Sequence, residues 1–333
     1  MLSYLMRRWF GLVITVLCMT VITFFLTQMI PGDPARAAAG PEASAETIAT
    51  IREEMGLDKP VVVQYGMYMA RLFRGDLGRS IATRRPVFDD IRKKLPASIE
   101  LAVFSALFWL PLGLVLGVLC AVQAGSWIDL VSRAFSILGV SLPVFWVALL
   151  IQLLLGKALP IAGRIDIALS YQFELRTGIY LFDTLTQGSL PSFLSVLSHL
   201  VMPALTLTIA STARLGRMVR SCVLEVLRAE YITTARSKGL SERTVLFKHA
   251  LRNALIPIIT IIGLQLADLI AWVFLVETVF AWPGIGRYGV TAIFNLDHPA
   301  IIGTVLTISC IYVGANFIVD LLYMAANPQV RYT

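Results

Sequence analysis

Between Arg228 and Pro257 the chain carries Arg228, Arg236, Lys238, Arg243, Lys248 and Arg252 against only Glu230 and Glu242, with strongly apolar sequence on either side. Such an excess of Lys and Arg in a short loop between apolar runs marks the cytoplasmic side of a membrane. Ala229, Ile232 and Ala235 recur at spacings of three, with Tyr231 one turn before Ala235, which predicts a short amphipathic helix. Lys238-Gly239 is a helix stop, the glycine being free to adopt the left-handed cap. Ser241 then caps a second helix that runs on into the next apolar segment. These residue types make and break no bonds. They offer a surface on which a cytosolic partner docks, the alternative being a helix that rests on lipid headgroups.

Little else in the sequence could support covalent or metal chemistry. No Gly-x-x-x-x-Gly-Lys-Ser/Thr stretch occurs, so no phosphate loop for ATP is expected here. His199, His249 and His298 have no second histidine at metal-ligand spacing. Neither a Gly-x-Ser-x-Gly elbow nor a His-Glu-x-x-His helix is present. Cys18, Cys120, Cys222 and Cys310 lie in or at the ends of apolar runs without a Cys-x-x-Cys pair, and read as small core hydrophobes. The sequence therefore supports no enzyme, no metal and no cofactor of its own; if energy drives the protein, a partner supplies it. One carboxylate stands out. Asp268 lies about 14 residues into an apolar run, where a charge is costly unless it faces protein, water or a cation. It either lines a pathway, meeting an ammonium or other cation, or packs against a neighbouring helix through a hydrogen bond. Glu100, Glu277 and Asp320 are the other acids in or near apolar runs.

The elements that position these residues follow from composition. Of 333 residues, 57% are hydrophobic and 15% charged, against about 25% charged in a soluble domain; the chain reads as an all-α polytopic membrane protein. Its net charge of +7 fits basic anchoring of the cytoplasmic face rather than a nucleic-acid partner. Six windows reach the ~20 apolar residues a span requires: Trp9–Ile30, Ile99–Val122, Ala134–Leu155, Leu197–Ala213, Ala254–Val276 and Ala300–Met324. The first is too long for a signal peptide's apolar region and is read as a retained helix. With the N-terminus inside, the cytoplasmic segments hold thirteen basic residues: Arg7, Arg8, Arg133, nine from Arg214 to Arg252, and Arg331. The shorter external loops hold Lys157, Arg164, Arg176 and Arg287. Pro31–Ala97 has eleven basic and nine acidic residues; segments this long translocate largely regardless of charge. Within it, Ala45–Met55 and Val62–Phe73 read as short helices separated by Gly56, Asp58 and Pro60.

Motifs run along the whole chain: Ile30-Pro31-Gly32-Asp33-Pro34, Met55-Gly56-Leu57-Asp58-Lys59-Pro60, Arg74-Gly75-Asp76-Leu77-Gly78-Arg79-Ser80, Ser141-Leu142-Pro143-Val144-Phe145-Trp146 and Glu277-Thr278-Val279-Phe280-Ala281-Trp282-Pro283-Gly284. Asp320-Leu321-Leu322-Tyr323 closes the series, and Thr233-Thr234-Ala235, Gly239 and Leu255-Ile256-Pro257 occupy the slots of a Glu-Ala-Ala, three residues, Gly, later Ile-x-Leu-Pro pattern. This set resembles the permease subunits of binding-protein-dependent ABC importers, in the dipeptide/oligopeptide/nickel branch, where the missing glutamate and longer gap to the proline are typical.

The resemblance implies a type I ABC importer permease fold with six transmembrane helices and an extracytoplasmic segment after the first. It divides the chain into residues 1–30, 31–97, 98–325 with a coupling loop at 218–253, and a cytoplasmic tail at 326–333. It implies a bacterial cytoplasmic membrane, both termini inside, a homologous second permease subunit, two ATP-binding subunits that hold ATP and Mg, and an extracytoplasmic substrate-binding protein. Tyr231, Ile232, Ala235 and Leu240 would form an apolar knob in a groove on the ATPase, with Arg236 and Lys238 adding charge and Gly239 the sharp exit. The implied cargo is di- or oligopeptides, with nickel, opines or glutathione-like peptides as alternatives. A secondary transporter or channel is the competing class, but the halves show no repeat and it gives no reason for the basic helix.

Overall fold

The computed structural model describes residues 2–30, 32–40 and 42–326; Met1, Pro31, Pro41 and 327–333, which include Arg331 and nearly all of the expected tail, lie outside the described residues. Among the described residues the regular structure is helical, apart from an isolated bridge between Arg79 and Pro86. Helix α1 (Leu2–Met29) is followed by three short helices, α2 (Pro34–Ala39), α3 (Ala45–Glu54) and α4 (Val61–Phe73). The last two fall where the sequence places short helices, and Ser44 caps α3 by accepting the Thr47 N–H at 3.1 Å. Helix α5 (Val87–Val122) then runs unbroken through the expected boundary at residues 97 and 98, beginning twelve residues before the apolar window at Ile99. Pro96 and Pro111 are accommodated inside it.

The third window is not one helix. It is α6 (Trp127–Ser141) and α7 (Val144–Leu155), whose axes bend by 108°. Pro143 has no N–H to continue α6 and pushes the preceding residue into the extended region; Leu142 sits at φ −84°, ψ 131°. Among the described residues five helices are long and apolar enough to cross a membrane, and the bent pair brings the number to six if counted as one broken span. After the short α8 (Tyr180–Thr186) comes α9 (Leu190–Leu227), far longer than the window Leu197–Ala213, so that Arg214, Arg217 and Arg220 lie inside a continuous helix. Helices α10 (Glu230–Ser237) and α11 (Glu242–Thr244) lead through a π-helical turn at Val245–Ala250 into α12 (Leu251–Val279). Helices α13 (Ile285–Phe294) and α14 (His298–Ala326) complete the chain.

The most extensive helix pairing among the described residues is α5 on α9. Gly113 and Gly117, four residues apart on α5, face α9, and a Cβ at Gly117 would stand 2.7 Å from the Gly216 carbonyl oxygen. Small residues at this spacing let two helix backbones approach. Trp109, Leu215, Val219, Val223, Ala254 and Ile258 fill the adjoining core between α5, α9 and α12. One end of the bundle carries α2–α4 and α13, where Phe24 of α1 stacks on Tyr68 of α4 with centroids 5.6 Å apart. The other end carries α10. Of the four cysteines only Cys120 is in the core; Cys18 and Cys310 are exposed on α1 and α14, so the reading of all four as core residues is corrected.

Candidate functional site

Two residues separate α10 from the end of α9, the second of them, Ala229, being its N-cap in extended conformation. Eight residues give a helix a single apolar stripe, and here that stripe turns back onto the chain. Ile232 and Ala235 are buried against Val226, Leu227, Val245, Leu246 and Ala250. The expected four-residue knob is thus divided: Ile232 and Ala235 fasten the helix, while Tyr231 and Leu240 are 44% and 39% exposed. Arg236 and Lys238 are also exposed. Arg236 forks onto Glu242, its Nε and Nη2 donating to the two carboxylate oxygens at 2.9 and 3.2 Å. These hydrogen bonds hold the Arg236 guanidinium above its usual pKa.

Gly239 takes φ +77°, and nothing lies within 4 Å of where a Cβ would sit. The requirement at this position is therefore one of backbone conformation, not of space. Ser241 caps the next helix, its Oγ accepting the Thr244 N–H at 3.4 Å. Asn253 Nδ2 donates to Tyr231 Oη at 3.0 Å, tying α10 to the start of α12. The π-helical turn at Val245–Ala250 has no counterpart in the sequence reading; such turns are frequent at functional positions.

Between the two long helices, Asp268 of α12 accepts a hydrogen bond from Arg214 Nη1 of α9 at 3.1 Å. The guanidinium carbon stands 5.3 Å from the Trp272 ring centroid, one turn along from Asp268. Gln265, nearly one turn before Asp268, donates to the Ser211 carbonyl at 2.7 Å. Both side chains of this ion pair remain partly exposed, 32% for Arg214 and 49% for Asp268. Arg214, counted from sequence among the basic residues of the cytoplasmic segments, lies on the long helix opposite Asp268.

At the α2–α4 end, buried carboxylates hold the loops to α5. Glu277, fully buried near the end of α12, accepts the Ser98 hydroxyl and the N–H groups of Gly286 at 2.7 Å and Arg287 at 3.2 Å. Ser98 Oγ in turn accepts the Ile285 N–H at 2.8 Å. A Cβ on Gly284 would overlap the Glu277 carboxylate, so the last glycine of the Glu277–Gly284 motif makes room for the first residue. Glu100 takes Arg164 Nε at 2.8 Å and the Leu181 N–H at 2.7 Å, and Arg164 stacks 3.7 Å over the Tyr180 ring. Asp297 accepts from Ser80, from Ala82 N–H at 3.0 Å and from Ala300 N–H at 3.2 Å. The sequence shows Glu277 as an acid beside an apolar run, but its partners lie up to 179 residues away.

Residues 113–332 match the family described as the binding-protein-dependent transport system inner membrane component, and residues 1–102 match the N-terminal region of such membrane components. The chain is 40% identical to a dipeptide transport system permease protein of Alkalihalophilus pseudofirmus, across the whole of both chains. It is 44% identical to a probable D,D-dipeptide transport system permease protein of Escherichia coli, over 98% of this chain and 97% of that one. A di/tripeptide transport system permease protein of Pseudomonas aeruginosa is 41% identical, over 100% and 99%. The bundle of apolar helices, the basic helix slung between α9 and α12, and similarity along the full length agree: the chain belongs to the inner membrane components of binding-protein-dependent transport systems.

Proposed function

We propose that this chain is one of two permease subunits of an ABC importer in a bacterial cytoplasmic membrane, passing di- or oligopeptides inward. Both termini and α10 lie inside, and the segment with α2–α4 lies outside, where a substrate-binding protein delivers cargo. Two partner subunits bind and hydrolyse ATP with Mg, and α10 docks on one of them through Tyr231, Arg236, Lys238 and Leu240. Ile232 and Ala235 transmit the motion, because they bind α10 to the end of α9 and the start of α12. The observation that carries this reading is α10 itself: a polar helix outside the bundle, seated on its apolar underside and tied by Tyr231 to Asn253, and joined in sequence to the two long helices that hold Arg214 and Asp268. Arg214 lies thirteen residues before the end of α9, about 20 Å along the axis, so displacement of α10 reaches the ion pair through one rigid element. A charged pair half open at membrane depth avoids lipid and faces protein or water. Arg214 and Asp268 accordingly line the pathway, offering a guanidinium and a carboxylate to the two charged ends of a peptide.

Proteoliposomes holding both permease subunits, with and without the ATPase subunits, test the class. Dipeptide uptake is expected only with ATPases and ATP; uptake by the permeases alone would identify a secondary transporter. Orientation is read by cysteine labelling in a background lacking the four native cysteines. Ala49→Cys, on exposed α3, is expected to react with an impermeant thiol reagent from outside, and Ser237→Cys only after the membrane is opened. The reverse pattern would put α10 where there is no ATP and remove the mechanism.

A further inference from the structure

Where α5, α6 and α9 meet at the α10 end, the helices leave a crevice of about 170 Å³. Its lining is two-sided: Leu116 and Ile137 are apolar, while Arg133, Arg217, Arg220 and Ser136 are polar. The turn between α5 and α6 marks the level at which the chain leaves the apolar layer, and Trp127, 75% exposed at that turn, is a residue type that gathers at the membrane–water boundary. Helix α6 runs antiparallel beside α9, since Asp129 meets Arg220 and Gly139 meets Ala213. Arg133 and Arg217 therefore lie about one turn, roughly 5 Å, deeper than the Asp129–Arg220 pair. Leu116 is beside Gly216 at the same depth. Ile128, Val131 and Leu138 of α6 are exposed, as expected of a face turned to acyl chains.

The charge in the crevice is not balanced. Asp129 is buried and accepts both Arg220 Nε at 2.6 Å and Nη2 at 2.8 Å, with Arg133 Nε at 3.6 Å. One carboxylate thus serves two guanidinium groups, and among the described residues Arg217 has neither an ion pair nor a side-chain hydrogen bond. A basic crevice between spanning helices, apolar toward the membrane interior and open at the boundary, has the charge and polarity of a lipid-headgroup site.

We infer that this crevice binds the phosphate of an anionic phospholipid from the leaflet on the α10 side, with Arg133 and Arg217 holding the phosphate and Leu116 and Ile137 against the glycerol end of the chains. Bound there, the lipid bridges α6 to α9 three turns before α10 begins. The inference rests on this geometry and not on what the protein carries.

The test is native mass spectrometry of the assembled transporter in detergent micelles doped with phosphatidylglycerol or phosphatidylcholine. A phosphatidylglycerol adduct is expected in clear preference to phosphatidylcholine. Each basic residue near an anionic headgroup contributes about fivefold, so Arg133→Gln with Arg217→Gln is expected to weaken the adduct about thirtyfold. Both side chains are exposed, so the folded state should survive. Arg133→Lys with Arg217→Lys keeps the charges and is expected to keep the preference. Equal binding of the two lipids, an adduct unchanged by the Gln pair, or loss with the Lys pair as complete as with the Gln pair would overturn the assignment. So would glycerol phosphate binding as tightly as the lipid, which indicates a soluble phosphate, or an adduct on the isolated chain that vanishes on assembly, which indicates a subunit interface.

Discussion

At the α2–α4 end Glu100, Asp183, Glu277 and Asp297 are all buried, and each accepts hydrogen bonds from backbone N–H groups of nearby loops. At the α10 end the ion pair that α10 makes, Arg236–Glu242, lies in solvent, and four buried residues form the core beneath it. The difference is one of stiffness. A buried carboxylate with several donors fixes the position of every donor, because moving any of them leaves a buried polar group unpaired. A small apolar contact specifies no such geometry, and elements held this way occupy the low-stability end of a structure. The α2–α4 end is built to keep its shape, whereas α10 itself is seated so that it can shift as a unit.

The largest effect is expected where that rigid end is cut. Glu277→Ala leaves the Ser98 hydroxyl and the Gly286 and Arg287 N–H groups without their acceptor. At about 1–3 kcal/mol for each orphaned group, the loss is at least about 3 kcal/mol. The thermal midpoint of the solubilised chain should fall sharply, and Glu277→Gln, which keeps one acceptor oxygen, should fall less. An unchanged midpoint in Glu277→Ala would show that the buried carboxylates are not what holds this end.

Next in size is Gly239→Val. The left-handed conformation at φ +77° penalises a branched side chain by roughly 1–2 kcal/mol, and here no clash adds to it. The strain can be relieved by shifting α10 alone. The thermal midpoint of the chain should therefore hardly move, while co-purification of the ATPase subunits weakens and uptake is lost. Normal assembly with full transport in this variant would remove α10 from the mechanism; a midpoint drop as large as that of Glu277→Ala would erase the contrast between the ends.

What the sequence revealed divides along the same line. α10, its stop at Gly239 and the cap at Ser241 were legible because each depends on neighbours within a few residues: a three-residue apolar spacing, a glycine, a serine. The short helices α3 and α4 were legible for the same reason. The bend at Leu142–Pro143 carried a local signal, a proline, but apolar content on both sides masked it, since hydropathy does not register direction. The Glu277 and Glu100 networks join residues far apart in the chain, so the sequence showed the acids without their partners. Arg214 read as one more basic residue of the cytoplasmic side, because its neutralisation by Asp268 depends on a residue 54 positions away. Ile232 and Ala235 were assigned to the right helix, but which way a stripe faces depends on what packs beneath it.

A smaller effect is expected from Asp268→Asn. The change leaves Arg214 with a weaker, neutral partner while the guanidinium keeps its place beside Trp272. Assembly and basal ATPase activity should be unaffected. Uptake of peptides with a free amino group should fall relative to N-blocked ones if the carboxylate meets the ammonium. An unchanged ratio between the two substrates would leave Asp268 with its helix-packing role alone.

The smallest structural effect belongs to Arg236→Ala, and it separates two roles for this residue. The Arg236–Glu242 pair is solvent-facing, and such pairs add little to stability because water screens them. The thermal midpoint should therefore stay at the wild-type value. If Arg236 acts by meeting the ATPase, removing it should reduce ATP-driven uptake severalfold. Glu242→Gln, which breaks the same pair while leaving the cation exposed, should then leave uptake intact. If Arg236 acts only by bracing the turn at Gly239, the two substitutions should impair uptake alike, because each removes one half of the same fork. Equal impairment would confine the docking surface to Tyr231, Lys238 and Leu240, and would mean that even at the α10 end one polar contact sets the geometry.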